Sequence, residues 1–138
     1  MNRIIKFRAK SVTGEIIYFE LRDIRGYCGD KEDLMYVFPG VKNGDTFMVD
    51  IKTLQQFTGL LDKNGKEIFE GDIFPCLYAF DGCIEHEMIV EYNEPRAGFF
   101  PRWDYSKCQQ KGVEKTMHDL TNLEIIGNIY ENPELLKN

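Results

Sequence analysis

Residues 58–73 read TGLLDKNGKEIFEGDI and carry the clearest fold signal of the chain. Asn64 and Gly65 stand at the centre, and both residue types tolerate the positive φ angles that tight hairpin turns require. Gly71 and Asp72 mark a second turn, because glycine permits a sharp bend and aspartate accepts backbone hydrogen bonds. The stretch therefore predicts a hairpin followed at once by another strand, an arrangement common in small SH3-like barrels.

Strand patterns continue on both sides of this stretch. Residues 3–9 alternate between apolar and basic side chains, which is typical of a half-buried strand, and residues 15–21 form its hairpin partner. Further strands are predicted over residues 34–38, 47–51, 84–92, 98–103 and 123–130. Residues 22–33 are predicted to be a surface loop, and residues 104–122 a loop that could hold a short helical turn. Pro101 lacks an N–H group, so we expect its strand to lie at a sheet edge or to be bulged.

The composition suits one globular domain. The chain has 138 residues, of which 43% are hydrophobic and 13% aromatic, enough to build a core and to exclude intrinsic disorder. We predict a single mainly β domain over residues 1–138. Its N-terminal hairpin region covers residues 1–53. A small SH3-like barrel core with a C-terminal tail covers residues 54–138, and the tail ends in a short helical turn begun by Asn132 and Pro133.

No apolar run approaches the ~20 residues that a membrane-spanning helix needs. The first ten residues carry charge but no apolar stretch of signal-peptide length. We therefore expect a cytoplasmic protein that has no membrane partner.

Charge is unevenly distributed along the chain. Lys and Arg number 17 and Asp and Glu 23, which gives a formal net charge of −6 and disfavours non-specific binding to DNA. Arg3, Lys6, Arg8 and Lys10 nevertheless stand in the first ten residues without any acid. We favour a solvated face of the first strand, and a basic strip for a phosphate or an acidic partner is the alternative.

The cysteines give only a weak metal signal. The closest approach to zinc-ligand spacing is Cys83-x-x-His86 with Cys76 upstream, a set that His118 could complete, but the chain contains no Cys-x-x-Cys pair. Free thiols often sit buried as small apolar side chains. We therefore interpret the cysteines as structural and predict no metal and no cofactor.

The sequence contains no catalytic constellation. It has no nucleotide-binding glycine loop, no zinc-protease helix motif and no nucleophile elbow. His86 has glutamates on both sides, but neighbouring side chains on a strand point to opposite faces. Carboxylates crowd the central hairpin and could bind a divalent cation, although we favour turn and cap roles for Asp62, Glu67, Glu70 and Asp72. We expect a protein that is not an enzyme.

Residues 96–107, RAGFFPRWDYSK, combine aromatic rings with basic side chains. Such a mixture can stack on unpaired bases while it holds a phosphate backbone, and it also suits the anchors of protein interfaces. A purely structural interpretation places Phe99 and Trp103 in the barrel core. The candidate binding residues of the chain are Arg3, Lys6, Arg8, Phe99, Arg102, Trp103 and Tyr105.

Three segments closely resemble the YopX family: IKFRA at residues 5–9, QFTGLLDKNGKEIFEGDI at residues 56–73 and EIIGNIYENPEL at residues 124–135. The resemblance implies a protein of phages and prophages of Gram-positive bacteria, a β-rich fold of SH3-like character, and self-association. It implies no established activity and no catalytic residue. We therefore expect a non-enzymatic accessory protein that forms a homo-oligomer and binds a host or phage protein. The alternative is a nucleic-acid-associated module that uses the basic first strand and the aromatic stretch.

Overall fold

The computed structural model describes residues 4–28, 31–39, 45–75, 87–102 and 116–136. About half of the structure is strand, and the sheets are antiparallel, so the predicted mainly β fold is confirmed. The chain divides into two compact units, Met1–Gly59 and Leu60–Asn138.

The first unit begins with a regular hairpin. Strands β1 (Lys6–Lys10) and β2 (Ile16–Glu20) pair antiparallel, with Arg8 opposite Tyr18. Strand β6 (Gln55–Leu61) starts in this unit and pairs with the other side of β1. The hairpin predicted from residues 3–9 and 15–21 is therefore confirmed.

A second sheet in this unit has the order β3 (Ile24–Cys28), β4 (Lys31–Val37) and β5 (Phe47–Asp50). The prediction of a surface loop over residues 22–33 is wrong, because most of that stretch belongs to β3 and β4. The register between the two strands shifts next to Gly26, which has a φ of +138°. Such an irregularity breaks the two-residue alternation from which strands are predicted.

The core of the first unit lies between its two sheets. Its buried side chains come from β1 and β2 on one side and from β4 and β5 on the other, and they are Ala9, Ile17, Phe19, Met35, Val37 and Val49. Phe7 stacks on Phe19 with ring centroids 5.9 Å apart. A bridge between Ser11 and Val49 links the sheets at their edge.

The second unit contains the central hairpin and a further sheet. Strand β7 (Glu67–Phe69) follows the turn at Gly65, which has the expected positive φ of 82°. The sheet has the order β10 (Gly98–Arg102), β9 (Met88–Asn93), β8 (Asp72–Phe74) and β11 (Gly127–Asn128). Among the strands that the structure describes, β10 lies at the end of that order, as expected from Pro101.

A short helix, α1 (Met117–Leu120), covers the core of the second unit. The buried residues of that core are Ile68, Phe74, Met88, Val90, Met117, Leu120 and Ile125. Helix α1 lies in the stretch predicted as a loop with room for a helical turn. The strand predicted over residues 123–130 is mostly wrong, because only β11 pairs there. The N–H groups of Ile126 and Ile129, on either side of β11, still donate to the carbonyls of Ile73 and Gly71. Beyond them, side chains of Asn128 and Asn132 bond the backbone and form a turn.

The chain ends in a 3₁₀ turn over Pro133–Leu136, which confirms the predicted C-terminal helical turn. The sheets do not close into a barrel within the described residues. The SH3-like core therefore stays a prediction.

Candidate functional site

The structure describes four of the seven candidate binding residues. Lys6 and Arg8 lie on β1 in the first unit, and Phe99 and Arg102 lie on β10 in the second. The other three, Arg3, Trp103 and Tyr105, lie outside the described residues.

Two basic side chains of the first strand, those of Lys6 and Arg8, make contacts within the first unit. The Lys6 ammonium lies 5.9 Å from the centroid of the Phe57 ring. Arg8 is only 4% exposed, and its Nε donates a hydrogen bond of 2.6 Å to Gln55 Oε1. The favoured interpretation of this face as solvated is therefore wrong for Arg8, because its guanidinium is buried and bonds β1 to Gln55 of β6.

The β9–β10 hairpin is built around a tight turn. Asn93 Oδ1 accepts a hydrogen bond of 3.0 Å from the Arg96 N–H, and the Ala97 N–H donates one of 3.1 Å to the Glu94 carbonyl. Ala97 has a φ of 52°, in the left-handed region where glycine is usually found. These contacts fix the direction in which β10 leaves the turn.

The two phenylalanines of β10 point to opposite faces of the sheet. Phe99 packs against the core of the second unit and meets the Tyr92 ring edge to face at 5.5 Å. Phe100 faces the other way, opposite Glu91 in the register. The structural interpretation of Phe99 therefore fits its place in the fold, and the sequence analysis selected the inner ring and missed the outer one.

A groove of about 280 Å³ lies along the outer side of this hairpin. We call it the hairpin groove, and its lining residues are Glu91, Tyr92, Asn93, Arg96, Phe100, Pro101 and Arg102. The Arg96 guanidinium lies over the Phe100 ring at 4.9 Å from its centroid. Arg102 Nε contacts Glu91 Oε1 at 2.8 Å, and both side chains are about half exposed, at 57% and 49%.

The hairpin groove has the chemistry of a binding surface. The described part of its lining contains no histidine, cysteine or serine, the residue types that most often act as general base or nucleophile. It offers instead an aromatic ring, a half-exposed tyrosine and two guanidinium groups. Of these residues, only Arg102 was predicted. Strand alternation from the inward Phe99 would have found Phe100, whereas Glu91 and Tyr92 come from the register with β9.

The carboxylates of the central hairpin have structural roles. Asp62 is 5% exposed, and its Oδ1 accepts hydrogen bonds from the N–H groups of Asn64 at 2.8 Å and Lys66 at 2.9 Å. Its Oδ2 accepts a third from the N–H of Ile125 at 3.1 Å. Asp72 Oδ2 accepts one from the N–H of Phe69 at 2.8 Å. The predicted turn and cap roles are therefore confirmed for both aspartates.

The bonds to Asp62 determine its protonation. Burial, the largest single influence, raises its pKa, but the three backbone N–H groups and the charge of Lys66 together hold the pKa below its ordinary value of 3.8. Asp62 is therefore an anion at neutral pH and ties the turn of the central hairpin to the C-terminal segment.

The C-terminal segment is held in the same manner. Asn128 Oδ1 accepts hydrogen bonds from the N–H groups of Tyr130 at 3.0 Å and Glu131 at 2.8 Å. Asn132 Oδ1 accepts one from the Asn128 N–H at 3.2 Å. A Cβ atom at Gly127 would lie 2.6 Å from Asn132 Oδ1, so only glycine fits there. The polar residues of this motif therefore fold the backbone back on itself.

The metal hypothesis gains no support from the described part of the chain. Among those residues no group of three or more His, Cys, Asp and Glu side chains is placed to hold an ion. His118 lies on α1. Cys76, Cys83 and His86 lie outside the described residues, so the predicted absence of a metal stays a prediction.

Among the residues that the structure describes, no helix is both long and apolar enough to span a membrane.

Comparisons with known proteins give one match. No curated protein and no solved structure matches the chain significantly. The family model described as YopX protein matches residues 6–137, nearly the whole length. Two of the three segments that carry the resemblance, residues 56–73 and 124–135, contain the side chains of Asp62, Asp72, Asn128 and Asn132 that bond the backbone of the second unit. The chain belongs to the YopX family.

Proposed function

We propose that this protein acts by binding another protein through the hairpin groove and that it catalyses no reaction. The observation that supports the proposal most strongly is the pairing of an arginine with the half-buried Phe100 ring on the outer face of β9 and β10. Arg96 lies over Phe100, and Arg102 stands beside them in an ion pair with Glu91. These side chains are not needed to fill the core.

The residue types of the hairpin groove are those that anchor protein interfaces. Arginine is enriched among the residues that dominate binding energies, and the Arg102 side chain is 57% exposed. Strand β10 ends its sheet in the described part of the chain, so its edge can pair with an incoming strand.

The setting of this activity is part of the same proposal. Family membership supports a phage or prophage accessory protein of Gram-positive bacteria, which would act in the cytoplasm of its host. The proposal also includes self-association as a homo-oligomer and an SH3-like core. Light scattering of the purified protein tests self-association, since a monomer at micromolar concentration would contradict it.

A nucleic-acid-associated module is the second candidate. An arginine stacked on an aromatic ring, with a second arginine on the same face, supports it, because single strands bind to such platforms. Three observations weigh against it. Arg8 is buried, Glu91 stands within the groove, and the chain has a net charge of −6.

The test is an affinity pull-down from a lysate of the bacterial host, divided into nuclease-treated and untreated halves. The wild-type chain is compared with the double variant Phe100→Ala/Arg102→Ala. A matched control, Tyr18→Ala/Lys52→Ala, removes an exposed ring and an exposed, ion-paired cation from the first unit. Urea unfolding establishes that all three chains are folded.

We expect a protein that survives nuclease treatment and that the groove variant recovers at least about tenfold less than the wild type does, because interface anchors contribute ~2 kcal/mol or more. The control variant should recover it fully. Equal recovery by both variants would contradict the site. Recovery that disappears on nuclease treatment would favour the nucleic-acid module.

A further inference from the structure

The described residues of the hairpin groove carry a net charge opposite in sign to that of the whole chain. Two of them, Arg96 and Arg102, have guanidinium groups, and one, Glu91, has a carboxylate. The chain as a whole has a net charge of −6. Charges on other parts of the surface are screened beyond ~8–10 Å at physiological salt, so a partner in the groove meets the local positive excess.

Arg102 retains donors for a second acceptor. A guanidinium presents five N–H donors, and one carboxylate engages at most two of them. The contact between Arg102 Nε and Glu91 Oε1 holds the side chain in place, and the side chain is 57% exposed. Glu91 therefore orients the guanidinium for a further oxygen acceptor on the solvent side.

The other surfaces of the groove suit an extended peptide. The Phe100 ring supplies apolar contact, since Pro101 is buried, and it lies on β10, at the end of its sheet in the described residues. The backbone of an edge strand can bond to an added strand. A strand placed along β10 would bring alternate side chains over the face that holds Phe100 and Arg102.

We propose that the occupant of the hairpin groove is an extended segment of another protein that carries aspartate or glutamate side chains. This inference rests on the proposed function and names its partner class. A nucleic acid strand needs many cations along its length, whereas the described residues of the groove lining include two and a repelling carboxylate. A peptide needs only one or two carboxylates, because the Phe100 ring and the backbone of β10, an edge strand in the described residues that lacks an N–H at Pro101, supply further contacts.

A random linear peptide library, displayed and selected on the immobilised full-length protein, tests the proposal. A selected peptide is then labelled and compared with its counterpart in which Asp and Glu are replaced by Asn and Gln. Both are titrated with the wild type, with Arg102→Gln and with the control Lys52→Gln, which alters an exposed ion-paired cation of the first unit. A single-stranded oligonucleotide serves as competitor.

We expect the selected peptides to be enriched in Asp and Glu. Their neutral counterparts, and the Arg102→Gln chain, should bind about tenfold more weakly, since charge-assisted hydrogen bonds are the strong ones at interfaces. The Lys52→Gln chain should bind as the wild type does.

The proposal is overturned if no peptide is selected, if selected peptides lack the acidic excess, if neutral counterparts bind equally, or if the oligonucleotide binds more tightly than they do. Any of these results combined with groove-dependent recovery in the pull-down would leave the proposed function standing and refute only the acidic peptide. Failure of the pull-down itself would refute both.

Discussion

The central hairpin and the β9–β10 hairpin both carry charged side chains, but they use them in different ways. At the first, Asp62 is buried and directs both oxygens at backbone N–H groups of its own unit. At the second, Glu91 and Arg102 are about half exposed and contact each other across the outer face. The charge of Asp62 fixes the backbone of its own unit, whereas the charges of Glu91 and Arg102 face solvent.

This comparison distinguishes the residues that identify the family from the residues that we propose to bind a partner. Segments 56–73 and 124–135 hold side chains that bond to the backbone, so their residue types are dictated by the fold. In the groove, Asn93 bonds the Arg96 N–H of its turn, but Glu91 and Arg102 contact each other through their side chains. A family motif can therefore be strong without marking a functional site.

Removal of the Asp62 carboxylate should have the largest effect on stability. Asp62→Ala leaves three N–H groups without their acceptor, of which that of Ile125 is buried, and each charged hydrogen bond contributes ~1.5–3 kcal/mol. We expect a loss of roughly 3–5 kcal/mol in the free energy of unfolding, measured in urea.

Asp33→Ala is the matched control, because its carboxylate is exposed and pairs with Lys52 at 3.1 Å. That variant should lose less than ~1 kcal/mol. Similar losses for the two aspartates would erase the distinction between buried and exposed charges.

Gly127→Ala should have the next largest effect. The added Cβ would lie 2.6 Å from Asn132 Oδ1 and 2.9 Å from Asn132 Cβ, so the backbone of Asn132 must move. Overpacking of this kind costs ~1–3 kcal/mol, which chemical unfolding resolves. At Gly98 the nearest atom to an added Cβ lies at 3.5 Å, so Gly98→Ala should change stability by less than ~1 kcal/mol. The opposite order would show that the C-terminal motif tolerates a side chain.

Acid should weaken the central hairpin through Asp62. The pKa of its carboxyl is lower in the folded state than its ordinary value of 3.8, so the unfolded chain binds the proton first as the pH falls. The stability that Asp62 contributes is complete at neutral pH and is lost as the pH falls from about 5 through the folded-state pKa.

The difference in unfolding free energy between the wild type and Asp62→Asn measures this contribution. It should be constant above about pH 5 and shrink below it. A difference that stays the same at about pH 3, below the ordinary carboxyl pKa of 3.8, would mean that the charge of Asp62 is not what holds the turn.

Ala97→Gly should have a smaller effect, in the opposite direction. Ala97 has a φ of 52°, and the left-handed conformation costs a non-glycine residue ~1–2 kcal/mol. Glycine removes this strain but adds freedom to the unfolded chain, so a net gain of roughly 0.5–1 kcal/mol is expected in thermal or urea unfolding. A less stable variant would show that the Ala97 methyl group makes a needed contact.

The sequence predicted best the features that depend on local backbone chemistry. The turn at Asn64 and Gly65, the structural aspartates and the edge position of Pro101 follow from rules that involve a few adjacent residues. The β3–β4 pair could not be predicted, because a register shift beside Gly26 hides its alternation.

The candidate site was predicted only in part, since its composition depends on pairing between strands. Arg102 was selected for its residue type, but Glu91 and Tyr92 join it through the β9–β10 register. Arg8 was selected as an exposed cation, and nothing in its neighbours along the chain indicates that Gln55 would bury it.

The most direct test compares one variant from each of the two hairpins in the same binding assay. Recovery of the nuclease-resistant partner, per mole of folded protein, is measured for Asp62→Asn and for Arg102→Ala under conditions where urea unfolding shows both to be folded. We predict that Asp62→Asn is the less stable chain but recovers the partner as the wild type does. Arg102→Ala should lose less than ~1 kcal/mol of stability and yet lose recovery about tenfold. Loss of recovery in Asp62→Asn together with full recovery in Arg102→Ala would contradict the account, because it would place the binding site on the family motif itself.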